Sequence, residues 1–116
     1  MLTPDGSTQI YLCASHTDMR KGASSLALLA SSLCDEAVCS GAMYIFRGKS
    51  ANKIKILWYD GQGFCLFYKC FDCGKFIWPK ADYNGVIGIT RAQLSMLIEG
   101  VDWRSPRWSK PPEYVG

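Results

Sequence analysis

The pattern of apolar and polar residues gives its strongest strand and hairpin signals between residues 43 and 79. Asp60-Gly61-Gln62-Gly63 separates two runs of β-branched and aromatic residues, and Cys73-Gly74 precedes a third short run. Glycine readily takes the positive φ that tight turns require, so both breaks are typical of hairpins. The pattern predicts an antiparallel meander with these facing pairs: Tyr59 with Phe64, Leu57 with Leu66, Lys55 with Tyr68, Phe71 with Phe76, and Lys69 with Trp78.

Successive side chains of a strand point to opposite faces, so the predicted register sorts the meander into two surfaces. One surface is almost wholly apolar and consists of Ile54, Ile56, Trp58, Cys65, Phe67, Phe71, Phe76 and Trp78. The other mixes lysines with aromatic and aliphatic residues: Lys53, Lys55, Leu57, Tyr59, Phe64, Leu66, Tyr68, Lys75 and Ile77. We expect the first surface to face a core and the second to contact a partner.

Two segments have helical periodicity. From Gly22 to Ala37 apolar residues recur at helical spacing, which predicts a long helix that covers the apolar surface. The expected core between this helix and the sheet contains Leu29, Leu33, Ile56, Trp58 and Phe67. Thr90 and Gln93 form a capping box, and Gly100 is suited to end the short helix that follows.

These elements, with short strands at 9–13 and 86–89, predict an α+β fold. We expect a mainly antiparallel curved sheet of five to six strands, with one long helix packed on a face and a short C-terminal helix. Residues 1–103 are predicted to form one domain. Residues 104–116 contain three prolines and Trp108 without periodicity, and are predicted to be a mobile tail.

Composition agrees with a folded single domain, because 48% of the 116 residues are hydrophobic. The net charge of +3 is unevenly spread. Residues 43–80 hold seven basic and two acidic residues, a charge of +5, which leaves −2 for the remainder. This asymmetry favours an anionic partner near the sheet. An alternative is that lysines on a solvated strand protect the sheet from aggregation.

Basic residues interleaved with aromatic ones are typical of nucleic-acid binding, because cations meet phosphates and rings stack on bases. The candidate binding residues are Arg20, Lys21, Arg47, Lys49, Lys53, Lys55 and Tyr68. The alternatives are an ordinary solvated sheet and a face covered by another protein chain.

Metal binding and catalysis have weaker signals. Cys70-x-x-Cys73-Gly74 has the spacing of a zinc knuckle that Cys13-x-x-His16 would complete, although cysteines also fill apolar positions in sheets. His16 is the only histidine, and no local motif links it to a nucleophile. Asp18, Asp60 and Asp102 are the candidates for an acidic metal-binding cluster, but the turn at Asp60 accounts for that residue. We therefore predict no metal, no cofactor and no enzymatic activity.

No segment approaches the roughly 18 apolar residues of a membrane span. The first residues lack the basic and apolar regions of a signal peptide. The sequence thus predicts a cytoplasmic protein without membrane contact, whose six cysteines are reduced thiols.

Several motifs, in order, resemble a single family. They are Thr17–Gly22 (TDMRKG), Phe46-Arg47, Ile54–Gly63 (IKILWYDGQG), Tyr68-Lys69, Gly74–Pro79 (GKFIWP) and Gln93–Trp103 (QLSMLIEGVDW). The chain resembles the small accessory proteins, called TnpB, of the sixty-six group of bacterial insertion sequences. The chain departs from the family pattern at Asn52, Cys70, Asp72 and Cys73, so the Cys-x-x-Cys spacing is peculiar to this sequence.

The resemblance implies a role in transposition beside a large transposase that supplies the strand-transfer chemistry, and it carries over no catalytic residues. We therefore expect a non-enzymatic accessory protein that binds the element's DNA through its basic and aromatic surface. The alternative is a protein–protein adaptor that docks the transposase or another element-encoded protein. The sequence leaves the oligomeric state open.

Overall fold

The computed structural model describes residues 7–33, 41–78 and 85–104. Within them the chain forms five strands and two helices. The elements are β1 (Ile10–His16), α1 (Ala23–Leu33), β2 (Met43–Arg47), β3 (Lys53–Tyr59), β4 (Phe64–Cys70), β5 (Val86–Ile89) and α2 (Arg91–Glu99). The strands form one open sheet in the order β4-β3-β2-β1-β5. The predicted α+β class is confirmed.

The sheet is mixed rather than antiparallel throughout. Strands β1 and β2 are parallel, whereas β1 with β5, β2 with β3, and β3 with β4 are antiparallel. The parallel pair follows from α1, because a chain that crosses over through a helix returns to the same end of the sheet.

The predicted register of the β3–β4 hairpin is confirmed. Lys55 faces Tyr68, Leu57 faces Leu66 and Tyr59 faces Phe64. The turn is built by Asp60, whose carboxylate accepts hydrogen bonds from the N–H groups of Gln62 (2.9 Å) and Gly63 (3.0 Å). These bonds hold the pKa of Asp60 below its usual value.

The second predicted hairpin is only partly correct. Gly74 adopts a φ of +103°, as a tight turn requires, and the rings of Phe71 and Phe76 lie 4.3 Å apart between centroids. Residues 71–78 do not form a strand, however, and the predicted pairing of Lys69 with Trp78 is wrong. The segment instead folds over the apolar face of the sheet, where Phe76 and Trp78 are buried.

Each face of the sheet carries its own core. The apolar face is covered by α2 and residues 71–78, and its buried members are Ile10, Leu12, Met43, Ile45, Ile54, Ile56, Phe76, Trp78, Leu94, Leu97 and Trp103. The opposite face is covered by α1, and its buried members are Cys13, Leu26, Ala27, Ala30, Ala42, Tyr44, Phe46 and Leu57.

The predicted placement of the first helix is therefore wrong, because α1 packs on the face that carries Lys55 and Leu57. Leu29 packs against the α1 core, whereas Ile56, Trp58 and Phe67 belong to the other face. Leu33 keeps 42% of its surface exposed. Helical spacing identifies the buried side of a helix, but the side of the sheet that it covers depends on the handedness of the crossover.

The short second helix matches its prediction. The Thr90 hydroxyl accepts from the Gln93 N–H at 3.1 Å, the Gln93 side chain accepts from the Thr90 N–H at 2.9 Å, and Gly100 ends the helix at a φ of +78°. The predicted extension of the first helix to Ala37 falls partly outside the described residues, as does the predicted tail beyond Arg104. No helix of the described ranges is long and apolar enough to cross a membrane.

Candidate nucleic-acid interface

The loop between β1 and α1 is organised by Asp18. Its carboxylate accepts hydrogen bonds from the Arg20 backbone N–H (2.9 Å) and from the Arg20 guanidinium (2.9 Å), and its carbonyl accepts from the Lys21 N–H. The bonds from Arg20 hold the pKa of Asp18 well below its usual range, and Asp18 raises the pKa of Arg20. The contact therefore favours the charged forms of both side chains.

The loop between β2 and β3 packs against the first loop. Gly48 donates to the Lys53 carbonyl at 2.9 Å and accepts from the Ala51 N–H, which closes a tight turn. A Cβ atom at position 48 would lie only 2.9 Å from Cγ of Met19. Glycine thus permits the close approach of the two loops, which places Lys49 and Lys53 beside Arg20.

Between these loops lies an open groove of about 760 Å³. Its walls are formed by His16, Thr17, Asp18, Met19, Arg20, Lys49, Ser50 and Lys53. The groove is therefore lined by three cationic side chains (Arg20, Lys49 and Lys53) and one carboxylate (Asp18). Within the part of the chain that the structure describes, that carboxylate pairs with Arg20, and no ion pair holds Lys49 or Lys53. The groove has the charge and the unengaged ammonium groups that binding a phosphate requires.

Lys55 does not belong to this exposed set, and its predicted exposure is wrong. The residue keeps only 8% of its surface accessible. Its ammonium group donates to the Lys21 carbonyl at 2.8 Å and lies 5.0 Å from the centroid of the Tyr68 ring. The carbonyl and the ring replace water around the charge, so Lys55 ties the β1–α1 loop to the sheet.

Arg47 lies on the other face of the sheet. It pairs with Ile54 across β2 and β3, and its guanidinium lies 5.5 Å from the centroid of the Trp78 ring. Arg47, one of the candidate binding residues, therefore does not share a surface with Lys53 and Lys55.

Lys21 and Tyr68 are not among the residues that line the groove. Lys21 lines a smaller cavity of about 280 Å³ that shares His16, Thr17 and Asp18 with the groove. Tyr68 is half exposed, on the same face as Lys53 and one strand away. Its ring is accessible on this face of the sheet, and its predicted role in stacking stays a prediction.

The residues considered for metal binding are not assembled into a site. Cys13 is buried, whereas Cys70 and Cys73 are exposed, and no group of three or more His, Cys, Asp or Glu residues among those described is arranged to hold a metal. Two of the acidic residues have local arginine partners, Asp18 with Arg20 and Asp102 with Arg104. Asp60 is engaged in its turn.

Sequence reasoning missed the groove residues that are not basic side chains: His16, Thr17, Asp18, Met19 and Ser50 were not among the candidate binding residues. His16 lines the groove at the end of β1, where the β1–β2 register shifts between Cys13 and His16. No local signal in the sequence marks that shift.

The fold and this site define a small α+β protein with a basic groove formed by two loops at one end of a mixed sheet. The family described as "IS66 Orf2 like protein" matches residues 8–108. The chain belongs to this family, which implies an accessory role in transposition and confirms the resemblance seen in the sequence.

Two relatives come from Sinorhizobium fredii (strain NBRC 101917 / NGR234). "Uncharacterized protein y4hO" is 42% identical over 116 residues, which is 100% of both chains. "Uncharacterized protein y4jC" is 31% identical over 104 residues, covering 89% of this chain and 87% of the relative. No solved structure matches the chain.

Proposed function

We propose that the protein is a non-enzymatic accessory factor of transposition that binds the element's DNA in the basic groove. One observation carries this proposal: two loops bring Arg20, Lys49 and Lys53 to a single open groove. A groove of this kind binds the phosphate backbone without reading sequence, because ammonium and guanidinium groups contact phosphates rather than base edges.

The two lysines contribute most to this proposal. Asp18 already engages Arg20 and offsets its charge, whereas no carboxylate among the described residues pairs with Lys49 or Lys53. Substitution of Arg20 would also remove the guanidinium bonds to Asp18 that help to shape the loop. Binding is therefore best tested by substituting the lysines, because this removes positive charge and leaves the hydrogen bonds between Asp18 and Arg20 in place.

The experiment measures binding of the full chain to a labelled duplex from an element end over a series of salt concentrations. We expect the logarithm of the association constant to fall linearly with the logarithm of the salt concentration. Lys49→Gln and Lys53→Gln should each reduce the slope by about one unit with little change in sequence preference. Lys75→Gln is the matched control, because Lys75 is exposed and lies outside the groove.

Binding that persists unchanged in the Lys49→Gln/Lys53→Gln double variant would rule out the groove. The adaptor alternative gives a different pattern: weak binding to any duplex, together with loss of transposase co-purification in the same variants. Thermal unfolding by circular dichroism confirms that each variant is folded. Comparing Tyr68→Ala with Tyr68→Phe on single strands tests whether a base stacks on that ring.

A further inference from the structure

Strand β4 is a terminal strand of the sheet formed by the described residues. It pairs with β3 on one side, and no strand of the described ranges lies on its other side. Terminal strands are usually protected by brevity, proline, a bulge or exposed charges. The opposite terminal strand, β5, has only four residues, one of which is Gly88. Strand β4 has seven residues, with a regular register along its whole length.

The hydrogen bonds at the two ends of the hairpin show which backbone groups are free. The Asp60 N–H donates to the Gly63 carbonyl at 3.1 Å, and the Phe71 N–H donates to the Asn52 carbonyl at 2.8 Å. In an antiparallel ladder alternate residues turn both backbone groups to the partner strand. The odd-numbered residues of β4 therefore face β3, and the even-numbered residues point their N–H and C=O groups outward.

The outward-facing residues also carry exposed, uncharged side chains. Phe64 is 37% exposed, Leu66 is 36% exposed and Tyr68 is 50% exposed, and Cys70 is exposed as well. The strand's one charged residue, Lys69, belongs to the set that faces β3. Its ammonium group donates to the Ile98 carbonyl at 2.8 Å and lies 4.7 Å from the centroid of the Phe71 ring. No charge of β4 thus opposes the approach of another strand.

We propose that β4 pairs with β4 of a second copy of this chain, antiparallel about a two-fold axis at Phe67. This register places Leu66 opposite Tyr68 of the partner subunit and Phe64 opposite Cys70 of the partner subunit. The outward-pointing N–H and C=O groups of all four residues then form hydrogen bonds with the partner strand, and the two sheets become one continuous sheet.

Self-pairing is favoured because the strand is complementary to itself in this register. An isologous contact requires that one surface match its own copy, and each apolar side chain here meets an uncharged one. Lys69 faces Cys65 of the partner subunit, so the two lysines are not opposite each other and like charges do not repel across the pair. The groove residues Arg20, Lys49 and Lys53 lie outside β4, so loss of the pairing can be distinguished from loss of DNA binding in the groove. Tyr68, the predicted stacking residue, takes part in the pair.

A disulfide trap tests the register. In Phe64→Cys, the new thiol lies opposite the native Cys70 of the partner subunit. The Cα separation of hydrogen-bonded antiparallel pairs, about 5.5 Å, permits a disulfide. Mild oxidation should give a covalent dimer on non-reducing gels. The Phe64→Cys/Cys70→Ser variant keeps the other cysteines and should give none. A crosslink that persists in this double variant would overturn the register.

Analytical ultracentrifugation tests the association itself. The parent chain should dimerise in the micromolar range, and Leu66→Lys/Tyr68→Lys, which places like charges opposite each other, should raise the dissociation constant about tenfold or more. Ala92→Lys/Ser95→Lys adds the same charge at exposed positions of α2, away from the β4 edge, and should leave the dissociation constant unchanged. A parent chain that is monomeric throughout this range would overturn the proposal. So would a dimer that survives the β4 substitutions, or a monomer whose β4 edge binds the transposase.

Discussion

Two lysine side chains fasten distant parts of the chain to the sheet. The Lys55 ammonium binds the Lys21 carbonyl, and the Lys69 ammonium binds the Ile98 carbonyl, both at 2.8 Å. Each ammonium also lies close to an aromatic ring, Tyr68 or Phe71. Charge-assisted bonds of this kind in a poorly hydrated place are stronger than those between neutral groups. Lys55 thereby positions the loop that forms one wall of the groove.

Replacement of Lys55 by methionine should destabilise the protein. The substitution keeps most of the aliphatic stem but leaves the Lys21 carbonyl without its donor, so we expect a loss of roughly 1.5–3 kcal/mol in the free energy of unfolding. Urea denaturation measures this loss of stability. Lys49→Met is the control, because Lys49 is exposed and its replacement should change stability by no more than about 0.5 kcal/mol. Equal midpoints for the two variants would contradict a structural role for Lys55.

The sequence identified Arg20, Lys49 and Lys53 among the candidates but could not separate them from Lys55 and Arg47. Lys53 and Lys55 occupy the same face of β3, and only the position of α1 and its preceding loop makes one accessible and buries the other. Arg47 is the last residue of β2, a strand in which both faces are otherwise apolar, so alternation gave no sign of its orientation. These distinctions depend on contacts between segments far apart in the chain.

Among the elements, α2 is the one that local signals determine most fully. Its first turn is held by the reciprocal bonds of Thr90 and Gln93, and its end by Gly100 in the left-handed region. All these residues lie within one short segment, so the sequence predicted the helix and its ends. The pairing of β1 with β2 is different, because the partners are more than thirty residues apart. No short pattern specifies that the two strands are parallel.

The capping box of α2 offers a test at the scale of one element. Thr90→Ala removes the hydroxyl that accepts from the Gln93 N–H, and should cost about 1 kcal/mol of stability. Thr90→Ser keeps that oxygen and should cost clearly less. Urea denaturation measures the midpoint of each variant, provided that the dependence of the free energy of unfolding on urea concentration is unchanged. If both variants lose the same stability, the methyl group of Thr90 rather than its hydroxyl is responsible.

In the whole molecule, one sheet separates two cores and belongs to both. Buried strand residues alternate between them: Ile54 and Ile56 face α2, and Leu57 faces α1. Both cores need the same strands for their packing. If one core unfolds, the strands lose their support and the other core becomes exposed to water. We therefore expect the two cores to unfold in a single transition, as small domains usually do.

The tryptophans make this expectation measurable, because Trp58, Trp78 and Trp103 all belong to the α2 side of the sheet. In a Trp108→Phe background, Leu26→Ala removes a fully buried side chain on the opposite side, and should cost roughly 2–5 kcal/mol. No tryptophan of the described residues belongs to the core altered by Leu26→Ala. If the two cores unfold together, the urea midpoint measured by tryptophan fluorescence should nevertheless fall by the same amount as the midpoint measured by far-ultraviolet circular dichroism. Leu28→Ala is the control on the same helix, since Leu28 is exposed, and should shift neither midpoint by more than the equivalent of about 0.5 kcal/mol. A fluorescence midpoint that stays in place while the dichroism midpoint falls would show that the two cores unfold independently.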